Sequence, residues 1–327
     1  MARSFVLNIF ILCAIALVLV WFNLFFGNTF ISFSDLTSGA SQTIFFDIRI
    51  PKTLTAILAG GGLAVAGLLM QTLFRNPLAG PYVLGVSSGA GLFVAVAMIL
   101  FGGITNYVAG KSFISLAAVL GSFLVMLFVV LVSKKSRSNT TVLLVGIMFA
   151  QILSAIQGII EYIANPVSLK SFVVWGMGTV SNTTISDVII LGPVIGSAYF
   201  LTLFLSKSLN AFLLGESYAL NLGINVEKLR ILIIVVTAVL TGVITAFCGP
   251  IAFVGLSVPI ACRLIFHTSH QFHQLLYCFI LGAITLLFCD SVCQILSNMY
   301  LLPINTITTL VGSPVVIYLL FKQKSLL

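Results

Sequence analysis

Two clusters in this chain carry side chains that ligate metals. Cys289 and Cys293 lie four residues apart with Asp290 beside them, on one face of any helix that contains them. Such a pair is the beginning of a soft-metal site, which takes four ligands when closed. His267, His270 and His273 recur every third residue in HTSHQFH and would converge on a metal if that segment were helical. For both clusters the plainer reading is better: small residues packing between helices for the cysteines, and a solvated loop for the histidines. No nucleophile–base pair appears, and neither does the phosphate-loop pattern G-x-x-x-x-G-K-[ST]. The expectation is a protein that is not an enzyme and holds no metal or cofactor. Asp290 sits inside an apolar run, where a charge is costly. It reads as a pathway residue or, more simply, as a hydrogen-bond partner for an adjacent helix. Glu161 falls near the end of another apolar run and is expected to face water.

The elements that position these residues must be membrane helices. Apolar residues make up 60% of the chain and charged residues 7%, against about 25% charged in a soluble protein. The apolar runs are long and continuous, which excludes the alternating pattern of a β-barrel. The net charge of +8 comes from cations scattered between apolar runs, with no basic-aromatic patch for nucleic acid. The six cysteines lie mostly inside those runs, so no disulfide framework is expected. Arg3 and the apolar run 5–26 are too long for a signal-peptide core and lack a cleavage site, so the run reads as a retained first span.

Taking about 20 apolar residues per span gives ten spans: 5–26, 53–73, 84–101, 113–132, 141–163, 186–205, 230–248, 254–265, 274–297 and 306–321, the eighth being short. With the N-terminus inside, eleven cations fall on the inner side and four (Arg49, Lys52, Lys111 and Lys170) on the outer side. That asymmetry predicts a multi-pass protein in lipid with both termini cytoplasmic. The outer segment 164–185 contains SLKSFVVWGMG, an expected interfacial helix anchored by Trp175. The inner segment LLGESYALNLGINVEKLR, from Leu213 to Arg230, reads as a short helix, a turn at Gly223 and a new helix capped by Asn225 with Glu227 in its first turn. Small residues four apart (Gly60 and Ala64, Gly62 and Ala66, Gly85 and Gly89) predict close helix contacts.

Two apolar segments are broken. RNPLAGPYVLGVSSGAG, from Arg75 to Gly91, and GPIAFVGLSVP, from Gly249 to Pro259, hold prolines and glycines that cannot continue a helix. Irregular backbone at membrane depth is tolerated where protein buries it or where it lines a water-filled path, and such breaks mark translocation routes.

The same residues carry a resemblance. RIPKTLTAILAGGGLAVAGLLMQTLFRNPLAGPYVLGVSSGAG, LLGESYALNLGINVEKLR, GPIAFVGLSVP and LVGSPVVIYLL, in that order along the chain, resemble the FecCD-type permeases. These are the membrane subunits of ABC importers for iron-siderophores, haem and vitamin B12. The resemblance implies an all-α polytopic permease of about ten helices, similar to the vitamin B12 importer permease, in one transmembrane domain over residues 1–327. It implies a homodimer in the bacterial inner membrane, driven by two copies of a separate ABC ATPase and served by a periplasmic substrate-binding protein. It places a cytoplasmic gate at Asn76 and Leu78, opposed by Asn139 and Thr140. It places ATPase coupling at Gly215, Glu216, Tyr218, Leu220, Leu222 and Gly223, and binding-protein docking at Arg49 and Lys52. Replacing Pro77 or Gly85 by alanine is then expected to uncouple transport from ATP hydrolysis.

The chain departs from the family pattern in two places. Ile260 stands where a histidine is usual, and Asn305 where a glycine is usual. The last outer loop offers Asn298, Tyr300 and Asn305 and no cation, which weakens the case for a third docking ion pair. Pathway lining is expected from the second, fifth and eighth spans, mostly apolar or small and suited to a bulky, weakly held cargo. Iron-siderophore comes first, then haem, then cobalamin. The competing class, a self-sufficient secondary transporter, predicts inverted repeats and several paired intramembrane acids, and the chain offers only Asp290.

Overall fold

The structure is a computed structural model that describes residues 2–27, 30–31, 39–100, 107–136, 138–296 and 302–324. Helix α1 (Ala2–Phe25) comes first. α2 (Gly39–Thr43) continues through a wide turn, Ile44–Arg49, into α3 (Ile50–Phe74). A tight turn, Pro81–Leu84, precedes α4 (Val86–Ala95), which a second wide turn, Val96–Leu100, prolongs. Then follow α5 (Tyr107–Lys135), α6 (Asn139–Tyr162), α7 (Pro166–Gly176), α8 (Ile185–Leu214) and α9 (Glu216–Asn221). The chain closes with α10 (Val226–Cys248), α11 (Val254–Phe266), α12 (Gln271–Leu296) and α13 (Ile304–Lys324). No strand occurs among the described residues.

Among the described residues seven helices are long and apolar enough to cross a membrane, and the segments Val86–Ile99, Val254–Phe266 and Ile304–Tyr318 are shorter apolar helices. Helix starts follow local caps. Asn165 and Asn225 accept the backbone N–H groups of Ser168 and Lys228, and Thr184 with Asp187 forms a capping box at α8. The cap at Asn225 starts α10 four residues before the expected span. Likewise α12 begins at Gln271, so His273 is helical.

Helix α3 runs through the centre, packed along α12, α10, α11 and α8. Its most apolar 18-residue window is 83% buried, against 6% for α1 and for α6. Without water to drive helices together, close packing must hold them, and small residues permit it. Gly60 lies directly against the backbone of Gly282, and Gly67 against the carbonyl of Gly255. A methyl group at Gly67 would overlap that carbonyl oxygen, and backbone on both sides leaves no side chain to give way. The Gly67→Ala variant will therefore yield little folded protein in detergent. Gly192→Ala, where nothing lies within 4 Å, will unfold at the wild-type temperature or gain up to about 1 kcal/mol from helix propensity. Thermal unfolding of the two variants side by side checks this.

Candidate functional site: a broken segment tied to a coupling helix

The first broken segment has a defined shape. Helix α3 stops at Arg75, in the left-handed region at φ 47°. The Asn76 side chain accepts the Leu78 N–H at 2.9 Å, and its carbonyl accepts the Ala79 N–H at 3.0 Å. This is an Asx turn, a local alternative to helix. Leu78 is 50% exposed at its tip. Gly85, at φ 80°, then starts α4, and a Cβ there would lie 3.1 Å from that of Ala150. Alanine at Gly85 therefore strains the fold itself, and Pro77→Ala is the cleaner test of the segment.

The structure brings the two broken segments together, which the separate motifs did not reveal. In the second, Gly249 (φ 70°) and Phe253 (φ 67°) take left-handed conformations between α10 and α11. The Ile251 N–H donates to the Tyr82 hydroxyl at 3.2 Å, and the Gln71 amide donates to the Leu256 carbonyl at 3.1 Å. Pro81 packs on Gly255 where a side chain would otherwise stand. The Ile251 N–H thus finds its partner in the opposite break, and the Leu256 carbonyl finds one on α3, as a low-dielectric setting demands.

The expected coupling segment is α9 with its flanking turns at Gly215 (φ 136°) and Gly223 (φ 78°). Tyr218, Leu220 and Leu222 are exposed by about half of their surface and present an apolar ridge. Glu216 faces the other way. Its Oε1 accepts from the Asn139 amide at 2.7 Å and pairs with the Arg230 guanidinium at 3.5 Å. The same Asn139 amide reaches the Leu73 carbonyl at the end of α3, at 3.2 Å. Arg230 also donates to the Ser136 carbonyl at 2.9 Å. One polar knot therefore joins α3, α6, α9 and α10. The sequence reading placed Asn139 and Glu216 in separate groups, since 77 residues lie between them, and it missed Arg230. A cation in the second turn of an apolar helix was the available signal. Thr140, by contrast, is exposed.

At the opposite end of the bundle the expected docking cations turn inward. Arg49 is 7% exposed and donates to the Leu24 carbonyl at 2.8 Å. Lys52 forms an ion pair with Asp290 at 3.0 Å, with side-chain exposures of 12% and 2%. This corrects the picture of two exposed docking cations. A buried acid beside an apolar helix end captures the nearest cation, because an unpaired charge there is far costlier than a paired one. Asp290 has the partner on an adjacent helix that its structural reading expects. Asp290 also accepts from Gln294 at 2.9 Å, Gln294 donates to Asn23 at 2.8 Å, and Asn23 donates to Ser291 at 2.9 Å. The network fastens α1 and α3 to α12.

The remaining sequence candidates have ordinary surroundings. Among the described residues no group of three ligating side chains converges on a metal position. His267 and His270 are exposed in the turn before α12, while His273 stacks on Phe5 at 4.0 Å, so only the first two fit the solvated-loop reading. Glu161 is half-buried and accepts from Gln157 at 2.7 Å. Ile260 is buried at 3% exposure, an apolar replacement in an apolar setting. Asn305 accepts the Ala252 N–H at 2.9 Å. Asn298 and Tyr300 lie outside the described residues. The expected interfacial helix is α7, where Trp175 packs on Phe172.

The profile of the FecCD transport family matches residues 15–322. The chain belongs to the FecCD transport family. The match covers both broken segments and the coupling segment in one stretch. The hemin transport system permease protein HmuU of Yersinia pestis is 32% identical, over 88% of this chain and 86% of that protein. The vitamin B12 import system permease protein BtuC of Serratia proteamaculans is 34% identical, over 93% of this chain and 90% of that one. A solved inward-facing structure described as a metal-chelate type ABC transporter superposes with a TM-score of 0.87 at 28% identity, covering 96% of this chain and 99% of that one. The FecCD family is one of transport permeases, so this multi-pass helical chain is a transport subunit and the knot around Glu216 sits in a transport fold.

Proposed function

We propose that this chain is the permease subunit of an ABC importer that carries a metal chelate across the bacterial inner membrane. The observation that carries the reading is the Asn139–Glu216 hydrogen bond, which ties the candidate coupling helix to the candidate gate. The working unit is a homodimer of ten-span subunits with both termini in the cytoplasm. Two copies of a separate ABC ATPase grip the Tyr218, Leu220 and Leu222 ridge, and a periplasmic protein delivers cargo at the other end. For Arg49 and Lys52 to meet that protein's carboxylates, each would first release its internal partner.

The chemistry of the subunit is motion of backbone and polar contacts. When the ATPases close, α9 moves, Glu216 carries Asn139 with it, and the Asx turn at Asn76 and Leu78 shifts. The outward face of α6 supports a pathway at a two-fold axis: it is scarcely covered within one chain and exposes Gln151 and Ser154. The relatives' hemin and vitamin B12 cargoes support a metal chelate, with iron-siderophore first, then haem, then cobalamin.

Reconstitution with the ATPase and binding protein encoded beside this chain tests the reading through uptake of ferric siderophore, haem and cobalamin into proteoliposomes. ATP-dependent uptake of one of them is expected. Uptake by this chain alone, driven by an ion gradient, would replace the reading with a secondary transporter. In the reconstituted system Pro77→Ala is expected to keep ATP hydrolysis and lose at least about tenfold in uptake, the effect of one lost constraint of roughly 1.4 kcal/mol.

A further inference from the structure

A cavity of about 580 Å³ opens at the Glu216 end of the bundle, walled by the ends of α3, α8 and α11 and by the start of α12. Two guanidiniums line it. Arg75 donates to the Phe212 carbonyl at 2.9 Å and stacks over the Phe212 ring at 5.5 Å. Arg263 donates to the Gln71 side-chain carbonyl at 2.8 Å. Both partners are neutral. The ion pairs Lys52–Asp290 and Arg230–Glu216 lie elsewhere, and no acid among the described residues lines the cavity. His267 adds a third nitrogen group to the wall. Two fixed positive charges in a partly desolvated recess, with the positive end of a 26-residue helix beside them, concentrate anions.

Two further side chains narrow the ligand. Gln271 and Gln274 line the same cavity and are 3% and 1% exposed. Each has a buried side-chain oxygen without a hydrogen-bond partner. An unmet buried acceptor is costly and calls for a donor. An occupant that offers oxyanion acceptors to the guanidiniums and hydroxyl donors to the glutamines meets both needs. Arg75 and His267, the left-handed residues that end α3 and α11, both lie in the cavity wall.

We infer that this cavity binds a phosphate group that carries hydroxyl donors. Inorganic phosphate fits this description, as does the glycerol-phosphate headgroup of an anionic phospholipid. Guanidiniums match phosphate oxygens in bidentate geometry, and the remaining hydroxyls satisfy Gln271 and Gln274. Asn76 and Pro77 form another wall, so the occupant sits directly against the first broken segment. The site stands whether or not the chain serves an importer.

The test uses the full chain purified in a zwitterionic detergent. Native mass spectrometry reads retained phospholipid, and thermal unfolding compares inorganic phosphate with chloride at equal ionic strength. Retained glycerol-phosphate lipid that falls at least about tenfold in Arg263→Gln, the loss expected for one charge-assisted hydrogen bond, identifies a lipid occupant. A phosphate-specific rise in unfolding temperature that Arg263→Gln abolishes identifies free phosphate. If Arg263→Gln fails to fold, His267→Asn, which tolerates the left-handed backbone, must weaken the same signal. A wild-type chain that retains no lipid and gives equal unfolding temperatures in phosphate and chloride overturns the proposal.

Discussion

Lys52→Met will lose most of its folded yield, and Lys52→Met combined with Asp290→Asn will recover much of it. In the native chain Asp290 is 2% exposed and its counter-charge is the Lys52 ammonium at 3.0 Å. Removing one member of a buried pair leaves the other charge without a partner and costs about 3–5 kcal/mol, whereas removing both charges is often close to neutral. The asparagine keeps an acceptor for Gln294, which also holds Asn23 on α1. Thermal unfolding of the single and double variants measures the coupling directly. Equal stability of Lys52→Met and the wild type would show that the pair does not fasten α3 to α12.

Glu216→Ala and Asn139→Ala will each leave ATP hydrolysis by the partner ATPases running while cargo uptake falls by about 10- to 100-fold. Each substitution deletes the 2.7 Å bond between α9 and α6. A hydrogen bond to a charged group contributes roughly 1.5–3 kcal/mol. The expected defect is in coupling, so it is read as cargo moved per ATP hydrolysed. The double variant should lose less than the sum of the two single losses, because both remove the Asn139–Glu216 contact while each also removes one of its own, to Leu73 or to Arg230. Glu216→Gln keeps an acceptor for Asn139 but loses the charge facing Arg230, and should fall between. Uptake per ATP equal to wild type in Asn139→Ala would remove the knot from the mechanism. Failure of ATP-dependent uptake in the wild type would instead refute the importer reading as a whole.

The helical class, the helix start at Asn225, and both broken segments were legible in the sequence by itself. These features are local. Twenty apolar residues in a row can only be satisfied as helix in lipid, a side-chain cap needs partners two or three residues away, and clustered prolines and glycines interrupt a helix locally, although the single prolines Pro193, Pro259 and Pro314 are each carried inside one. The family resemblance was legible for the same reason, since it rests on contiguous motifs. The tertiary structure alone decided the polar partnerships. Lys52 and Asp290, Asn139 and Glu216, and Tyr82 and Ile251 each join residues far apart in the chain. Hydropathy and spacing carry no information about which distant side chains converge. The direction a charged side chain faces was also hidden. Arg49 and Lys52 looked like outward cations because they precede a span, yet they turn inward because a buried carbonyl and a buried acid lie within reach. In a medium without water, the nearest internal partner determines where a charge points, and only the packed structure shows which partner that is.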